Sequence, residues 1–428
     1  MAGDDCSLHF QLDTLTPKQQ ADHRANQVLT GMLQVAALYM AKPTDHVCLY
    51  QEFNQAPWSN ALSRYLDMFK RMGLCADGTA NISYHAVDEY YTSVAATPSD
   101  ATLENLYMVS GSNNLLHDNA EHLQISQHLN SKIHFAQHAE CFGLPVPQTL
   151  VTSKADMTRG EDAVIAFMQR HGPTVMLKTL GLAGARNVTA ISSLQEGVEY
   201  LAEYASAMPV ILQQKLNMND YIEMTVDLNV SADSISISNV RQILFADGLW
   251  VGNLLGAAVS LSSAEEATLL QVGEYARQHG YTSHLAPAEH FNLGVDYFVR
   301  SAEADPTLPP LLVTEINARW TGGLFPAQLV RRLGCDELPV VAFIDMCPPD
   351  RFEQYLEFVE ANLYSTTTDS LWSIAPMGFS PLPDSIEETS YLYVWQIVIG
   401  DFAAFKIAKQ ASLGDQILPT VPLISTGL

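Results

Sequence analysis

The amino-acid sequence predicts a mixed α/β (α+β) fold. Short apolar, strand-like runs such as residues 209–216 alternate with longer stretches whose apolar residues recur at helical spacing, such as residues 154–171. Polar side chains in the run 314–319 fall at every second position, which is the period of a β-strand. A length of 428 residues allows two to four structural units, and a hydrophobic content of 47% is ordinary for a globular protein.

Residues 1–125 are predicted to form an α/β domain. Helical spacing covers residues 17–41 and 60–72, and strand-like runs cover residues 47–51 and 106–109. No glycine-rich dinucleotide fingerprint occurs in this part of the sequence.

A covering helix at residues 154–171 and a β-hairpin are predicted next. The apolar run 174–178 ends in Lys178, and a loop of small residues, 181–187, separates it from a second strand-like run, 188–191. A lysine inside a sheet is costly without a partner, and small residues let backbone N–H groups approach phosphate oxygens. The alternative is that the loop is only a turn.

Arg241 is a candidate catalytic residue on a later strand. The run 209–216 becomes polar at its end, the run 220–228 is half alternating, and the run 238–244 places Arg241 between apolar residues. In one interpretation this arginine holds a substrate carboxylate or an acyl phosphate. In the other it lies on an edge strand with its head group in water.

The stretch 314–323 is the most informative motif. Glu315, Asn317 and Arg319 are expected to share one face of a strand, where they would suit a divalent cation and a phosphate. The alternative is an ion pair between Glu315 and Arg319 on a half-exposed strand.

Asp296 lies on the preceding strand-like run, 292–299. The linker 301–310 is long enough to return the chain antiparallel, so Asp296 is expected to face Glu315 across the two strands. Two carboxylates at that separation repel each other unless a cation lies between them.

The order of these features over residues 130–340 resembles that of the ATP-grasp enzymes, in which two lobes grip ATP. The resemblance implies a pre-ATP-grasp domain at 1–125, a small lobe at 126–212, a large lobe at 213–345 and a C-terminal appendage at 346–428. The appendage contains a strand-like run and a predicted helix. Its layout is similar to that of the pheganomycin-type peptide ligases.

The resemblance also implies a role for each site residue. Lys132 and Lys178 are similar to the two lysines that hold ATP, Gly181 and Gly184 to the glycine-rich lid, and Gln213, Gln214 and Leu216 to the hinge that contacts the adenine. Asp220 and Glu223 are candidates for the ribose hydroxyls. Asp296, Glu315 and Asn317 match the metal ligands, and Arg319 matches the arginine that steadies the transferring phosphoryl group. A glutamate is common at the first hinge position, where this chain has Gln213.

The resemblance implies an ADP-forming carbon–nitrogen ligase that uses ATP and Mg²⁺, with Mn²⁺ as the alternative metal. Such an enzyme activates a small-molecule carboxylate as an acyl phosphate and joins it to an amine substrate, here an amino acid or a small natural-product precursor. Other reactions of the superfamily stay open: carrier-protein aminoacylation, a thioester-forming ligase and a kinase. A non-catalytic nucleotide-binding module is the third interpretation, although the complete metal set argues against it. Homodimers are common in the superfamily.

Charge and cysteine usage limit the partners and the compartment. A formal net charge of −25 argues against nucleic acid and against an anionic membrane surface. The six cysteines contain no Cys-x-x-Cys pair, which favours a reducing, cytoplasmic location over a zinc site or a disulfide framework. No signal-peptide pattern is visible, and the longest apolar stretch, 28–40, is too short to span a bilayer.

Histidines cluster between positions 117 and 138. They are His117, His122, His128, His134 and His138. No carboxylate completes a His-Glu-x-x-His arrangement, and the neighbourhood is rich in asparagine and glutamine. The pattern favours a solvated helix face over a metal site.

Overall fold

A computed structural model describes residues 17–75, 77–96, 120–179, 188–204, 206–246, 249–257, 259–282, 292–367, 370–386, 389–414 and 418–419. Contacts between residues divide the chain into two units. The first unit comprises Met1–Asp22, Leu103–Gln242 and Leu261–Thr321, and the second comprises His23–Thr102, Ile243–Ser260 and Gly322–Leu428. The four-part division drawn from the sequence remains a prediction about domain organisation.

Helices and strands alternate along much of the chain, but the single strand predicted within residues 346–428 is wrong, because the described residues there form four strands. The helices are α1 (Pro17–Met40), α2 (Trp58–Arg71), α3 (Tyr90–Ala96), α4 (Ala120–Leu129), α5 (Lys132–His138), α6 (Lys154–Arg159), α7 (Asp162–Arg170), α8 (Leu194–Tyr200), α9 (Ser263–Gln278), α10 (Leu324–Leu333), α11 (Phe352–Ala361) and α12 (Phe402–Leu413). The strands are β1 (His46–Tyr50), β2 (Asn81–His85), β3 (Thr149–Ser153), β4 (Val175–Lys178), β5 (Val188–Ile191), β6 (Pro209–Gln214), β7 (Tyr221–Val230), β8 (Ile235–Ala246), β9 (Leu249–Gly256), β10 (Asn292–Arg300), β11 (Leu311–Asn317), β12 (Pro339–Cys347), β13 (Trp372–Phe379), β14 (Asp384–Ile386), β15 (Thr389–Gly400) and β16 (Leu418–Pro419).

The first unit contains an antiparallel sheet in the strand order β3-β6-β4-β5. Its apolar face packs against α6 and α7 through fully buried side chains, among them Met157, Val164 and Leu177. Lys178 pairs with Val188 across the β4–β5 hairpin, which confirms the predicted hairpin. The loop that joins these two strands lies outside the described residues.

The single helix predicted at residues 154–171 is wrong, because the chain forms two helices there. Gly160 ends α6 in the left-handed region, with a φ of 64°, and α7 begins two residues later. Glycine adopts this conformation without a Cβ clash, so it can end a helix that the apolar pattern alone would continue. Met157 and Val164 are buried as expected, whereas Ile165 is 39% exposed.

Another run of antiparallel strands in the first unit has the order β11-β10-β7-β8. On β7, the even-numbered side chains Val226 and Leu228 are buried, and α9 packs closely enough that a Cβ on its Gly273 would lie 3.3 Å from Leu228. Side chains of a strand alternate in direction, so the odd-numbered residues from Glu223 to Asp227 face away from α9. The structure thereby gives this run of strands one apolar face and one polar face.

The second unit contains antiparallel strands in the order β9-β12-β15-β13, with β14 paired to β15 and β16 to β12. Its other sheet is the parallel pair β1–β2. A buried ion pair joins Lys409 of α12 to Asp345 of β12, with 2.6 Å between Nζ and Oδ1. None of the described helices has the length and apolar character needed to cross a membrane.

The histidine-rich segment is partly buried, so the prediction of a solvated helix face is wrong for His134. Its side chain is 8% exposed, and its ring lies 3.8 Å from that of His128, 4.2 Å from that of His138 and 5.2 Å from that of His279, between ring centroids. The hydroxyl of Tyr275 lies 3.3 Å from its Nδ1. Burial, followed by the neighbouring imidazoles, lowers the pKa of His134 to about 3. His117 lies outside the described residues.

This histidine cluster predicts a loss of stability in mild acid. The folded protein keeps His134 neutral, whereas the unfolded chain takes up a proton below its ordinary pKa of 6.5, so the free energy of unfolding should fall as the pH drops from 7 toward 4. His134→Phe should weaken this dependence in denaturant titrations at each pH. The exposed His46 provides the control, since His46→Gln should keep the wild-type slope. Identical slopes for wild type and His134→Phe would contradict the prediction.

Candidate active site

Lys132 and Lys178 reach one cavity from different elements of the first unit. Lys132 is the first residue of α5, where the Ser131 hydroxyl accepts a hydrogen bond from the His134 N–H at 3.2 Å. Lys178 is the last residue of β4. Both side chains and Gln213 line the same cavity.

The cavity has an apolar wall and a hydrogen-bonded polar edge. Phe135, Val146, Ile211 and Val313 are among its lining residues. At the edge, Nε2 of Gln213 donates to the Thr149 hydroxyl at 3.1 Å, which fixes the amide in place. A flat apolar ligand with polar atoms on its rim would match this combination.

The other two predicted hinge residues, Gln214 and Leu216, have fewer groups available to contact an adenine than the sequence suggests. The Gln214 N–H donates to the carbonyl of Gln148, the residue before β3, at 2.9 Å. The backbone N–H of Gln214 is therefore not available to a base, and a contact would use its backbone carbonyl or its side-chain amide. Leu216 lies two residues beyond the end of β6. The roles of Gln213, Gln214 and Leu216 in binding adenine remain predictions.

Carboxylates collect on the polar face of the β7 and β10–β11 strands. Asp296 is paired with Glu315 on one side and with Thr225 on the other, so the antiparallel return expected from the linker 301–310 is confirmed. Lys132 joins this acidic group to the cavity, because its Nζ lies 3.5 Å from Oε2 of Glu315. Glu223 is close enough to interact electrostatically with Asp296, Lys178 and Glu315.

The surroundings disfavour the charged forms of several of these side chains. Burial, followed by the charge of Glu315, raises the pKa of Asp296 to about 7. Burial likewise raises the pKa of Glu223 to about 8, with Asp296 as the next cause. Burial lowers the pKa of Lys178, while Glu315 acts in the opposite direction. A ligand with both positive and negative groups would compensate these charges.

Arg319 lies beyond the strand on which the sequence pattern puts it. Strand β11 ends at Asn317, so the expected common strand face of Glu315, Asn317 and Arg319 is wrong for the arginine. Its guanidinium nevertheless reaches Asn317, whose Oδ1 accepts from Nη2 at 2.9 Å, and it also donates to the Trp320 carbonyl at 3.1 Å. The alternative, an ion pair between Arg319 and Glu315, is not what the structure shows, because Glu315 pairs with Lys132.

The residues around Asp296 fit a divalent cation. Asp296, Glu315 and Asn317 offer carboxylate and amide oxygens, and Nδ2 of Asn317 donates to Oδ2 of Asp296 at 3.1 Å. A cation between the two carboxylates would favour the ionised form of both. Within the described ranges, no group of three histidine, cysteine, aspartate or glutamate side chains could hold a metal ion. The set would therefore need Asn317 and oxygen atoms from a phosphate ligand to complete it.

Arg241 is fully buried, so the interpretation as an edge-strand arginine with its head group in water is wrong. Its guanidinium forms an ion pair with Asp227, which is also fully buried. Nη2 additionally donates to the hydroxyls of Thr225 and Thr321 at 3.4 and 3.2 Å. The arginine thus occupies the same polar face as Asp296.

Two other groups of predicted site residues have different outcomes. Asp220 lies in the turn before β7, where its Oδ2 accepts from Nδ2 of Asn217 at 2.8 Å, and its contact with ribose remains a prediction. Gly181 and Gly184, predicted to form the lid, lie outside the described residues.

Asp227 is the site residue that the sequence analysis missed. It is buried on β7, two residues after Thr225 and four after Glu223. The alternation that revealed Glu315 and Asn317 on β11 is also present on β7, and it could have found Asp227. Its partner Arg241 could not be assigned from spacing, because the pairing of β7 with β8 is a tertiary property.

No protein-family model matches the chain, and no curated protein matches it by sequence. Solved structures do match it. Biotin carboxylase from Campylobacter jejuni, in a complex with β,γ-ATP, has a TM-score of 0.54 and 12% identity over 89% of this chain and 92% of that chain. Phosphoribosylamine–glycine ligase from Thermotoga maritima has a TM-score of 0.51 and 12% identity over 90% and 94%.

A further similar structure is carboxyaminoimidazole ribonucleotide synthase from Aspergillus clavatus, complexed with ATP. It has a TM-score of 0.50 and 13% identity, and the match covers 84% of this chain and 97% of that chain. At such identities the likeness is one of fold alone. The chain has the ATP-grasp fold, as the sequence predicts.

The buried position of Lys178 predicts that its removal stabilises the protein. Lys178→Met keeps a similar volume and removes a charge that burial disfavours, so the free energy of unfolding should rise by about 1 kcal/mol. Denaturant titration would measure this change, with Lys215→Met as the control because Lys215 is exposed on the segment after β6. A lower denaturation midpoint for Lys178→Met than for Lys215→Met would contradict the assignment of Lys178 as a costly buried charge.

Proposed function

We propose that the protein is an ATP-dependent, ADP-forming carbon–nitrogen ligase that joins a carboxylate to an amine. The observation that carries the proposal is the position of Lys132, which lines the cavity shared with Lys178 and also lies 3.5 Å from Glu315. A nucleotide in the cavity would thus have its phosphates beside the acidic group. The fold supports the same function, since the similar structures include one complexed with ATP and one named as a ligase.

The nucleotide would bind with its base against the apolar wall and its phosphates toward the lysines. Gln213, Gln214 and Leu216 border the base, and Asp220 and Glu223 are the candidates for the ribose. Lysine charges in a cavity poor in water bind phosphate more strongly than they would at an exposed surface. The loop with Gly181 and Gly184 is proposed as the lid over the phosphates.

Asp296, Glu315 and Asn317 would hold Mg²⁺ or Mn²⁺. The cation would supply charge neutralisation for the phosphate oxygens and would relieve the repulsion between the two carboxylates. This role accounts for a pair of partly buried acidic side chains placed opposite each other in the strand register.

The reaction needs no nucleophilic side chain. A carboxylate oxygen of the first substrate attacks the γ-phosphorus of ATP, the bond to the β,γ-bridging oxygen breaks, and ADP leaves. The nitrogen of the amine then attacks the acyl phosphate, inorganic phosphate leaves, and the amine loses a proton as the amide forms. Arg319 and Arg241 would stabilise the negative charge on the phosphoryl oxygens, because positioning and charge compensation dominate phosphoryl transfer.

Small-molecule substrates agree with the cavity and with the strongly acidic chain. The layout of the flanking parts, similar to pheganomycin-type peptide ligases, supports an amino acid or a natural-product precursor as the carboxylate. The described cysteines, which are Cys48, Cys75, Cys141, Cys335 and Cys347, are free thiols, in keeping with the proposed cytoplasmic location. A homodimer stays a prediction.

Glu315→Gln should abolish most of the ADP release that the wild type shows in a screen over amino-acid pairs with ATP and Mg²⁺. The amide cannot supply the charge that the cation and Lys132 require, so a loss of at least about 100-fold is expected. Glu303→Gln, on the exposed linker between β10 and β11, is the matched control and should keep wild-type turnover. Full activity of Glu315→Gln would remove the metal assignment.

Hydroxylamine in the same screen distinguishes the activation of a carboxylate from two of the alternatives, a kinase and a non-catalytic module. It should capture the acyl phosphate as a hydroxamate, which mass spectrometry detects, whereas a kinase with an alcohol substrate or a non-catalytic module gives none. ADP release without hydroxamate from any carboxylate would count against the ligase.

A further inference from the structure

Asp227 is the centre of a buried hydrogen-bond network on the polar face of β7. Its side chain has no exposed surface. One oxygen, Oδ2, accepts from Arg241 of β8. The other, Oδ1, accepts from Nδ2 of Asn292 at 2.8 Å and from the hydroxyl of Thr321 at 3.0 Å. A single carboxylate therefore contacts β8, β10 and the segment that follows β11.

Arg241 forms an ion pair with this carboxylate. Its guanidinium also donates to Asn239, Thr225 and Thr321, so its plane is held from several sides. Its Nε is buried and has no hydrogen-bond partner among the described residues. Arg241 is therefore held in place by its other nitrogens, and its Nε–H can still donate a hydrogen bond.

Arg319 is connected to the same carboxylate through the backbone. Nδ2 of Asn292, which donates to Asp227, also donates to the carbonyl oxygen of Arg319 at 3.1 Å. Thr321, the second donor to Oδ1, lies two residues after Arg319. Asp227 thus fixes the chain at the carbonyl of Arg319 and two residues beyond it.

The network is closely packed as well as hydrogen-bonded. Gly294 is paired with Asp227 in the register of β7 and β10. A Cβ at Gly294 would lie 2.1 Å from Cγ2 of Thr321 and 3.4 Å from Oδ1 of Asp227, so no other side chain fits there. The approach of Thr321 to Asp227 consequently requires glycine on the neighbouring strand.

Stability alone does not account for this arrangement. Two charges that are removed from water lose their hydration, and replacing a buried ion pair by apolar side chains of similar volume is often neutral or stabilising. A buried carboxylate with three donors on separate elements does, however, define the positions of those elements closely.

We propose that Asp227 is a positioning residue that sets Arg241 and Arg319 against the transferring phosphoryl group. It acts through the ion pair with Arg241 and through Asn292 and Thr321 on the backbone around Arg319, without touching the substrate itself. This inference rests on the proposed function, because it assigns both arginines to phosphoryl transfer.

Binding of MgADP, with and without orthovanadate as a mimic of the phosphoryl group in transfer, tests this role. In the wild type, vanadate should strengthen the binding of MgADP. Asp227→Asn should bind MgADP alone with wild-type affinity, because the network lies outside the nucleotide cavity, and should lose about tenfold or more of the strengthening by vanadate. A merely structural loss would lower both affinities together.

Asp345→Asn is the matched control. Asp345 is also fully buried and pairs with a cation, Lys409, at 2.6 Å, but it belongs to the second unit. Asp345→Asn should keep the wild-type ratio between the affinities for MgADP with and without vanadate. Thr321→Val provides a second variant should Asp227→Asn fail to fold, because it removes one donor to Asp227 at similar volume, and it should lower the same ratio a few-fold.

The outcomes separate the inference from the proposed function. The positioning role is overturned if vanadate strengthens MgADP binding by Asp227→Asn as much as it does in the wild type. The same result in Thr321→Val overturns it where that variant replaces Asp227→Asn. Equal losses of this strengthening in Asp227→Asn and Asp345→Asn overturn it as well. Binding of MgADP by the wild type without any strengthening by vanadate also overturns it, while nucleotide binding stands. Failure of the wild type to bind MgADP at all would instead contradict the proposed function.

Discussion

The constraint on which the site depends is the cost of keeping several charges away from water on one face of a run of strands. Asp227 and Arg241 have no exposed surface, and Asp296 and Glu223 are sufficiently buried for their pKa values to rise to about 7 and about 8. Isolated charges in such surroundings would cost several kcal/mol each. The fold offsets this cost by pairing charges across strands, as in the ion pair of Asp227 with Arg241. The charges of Asp296, Glu223 and Lys178 are not fully paired within the protein. A ligand that carries both a cation and phosphate groups would compensate them.

Strand register places these charged side chains next to one another. Residues at every second position of a strand share a face, and neighbouring strands align those positions laterally. Thr225 is paired with Asp296 and Asp296 with Glu315, so a row of polar groups crosses three strands without any loop having to hold them. Lys132 then links this row to the cavity from the start of a helix. Rigid elements therefore position the candidate metal ligands and one of the candidate ATP lysines, as a site for phosphoryl transfer requires.

The sequence predicted those parts of the molecule that are encoded by local periodicity. The β4–β5 hairpin, the pairing of Asp296 with Glu315 and the mixed α/β class follow from alternation, turn residues and linker length. The errors share a cause, which is that tertiary contacts or single glycines override the local pattern. Gly160 divides a helix that the apolar spacing extends, and burial against His279 and Tyr275 removes His134 from solvent. Spacing also could not reveal Arg241 as the partner of Asp227, because that contact exists only once β7 and β8 pair.

The central claim is that Lys178 and Asp296 act on the same nucleotide–metal ligand. Equilibrium titration with ADP, in the presence and absence of Mg²⁺, on the wild type, Lys178→Met and Asp296→Asn tests it most directly. We expect Lys178→Met to weaken ADP binding about 10- to 100-fold with or without the metal, since a charge-assisted contact is lost. Asp296→Asn should mainly abolish the gain in affinity that Mg²⁺ gives. Equal ADP affinities in all three proteins, with the same dependence on Mg²⁺, would contradict the account.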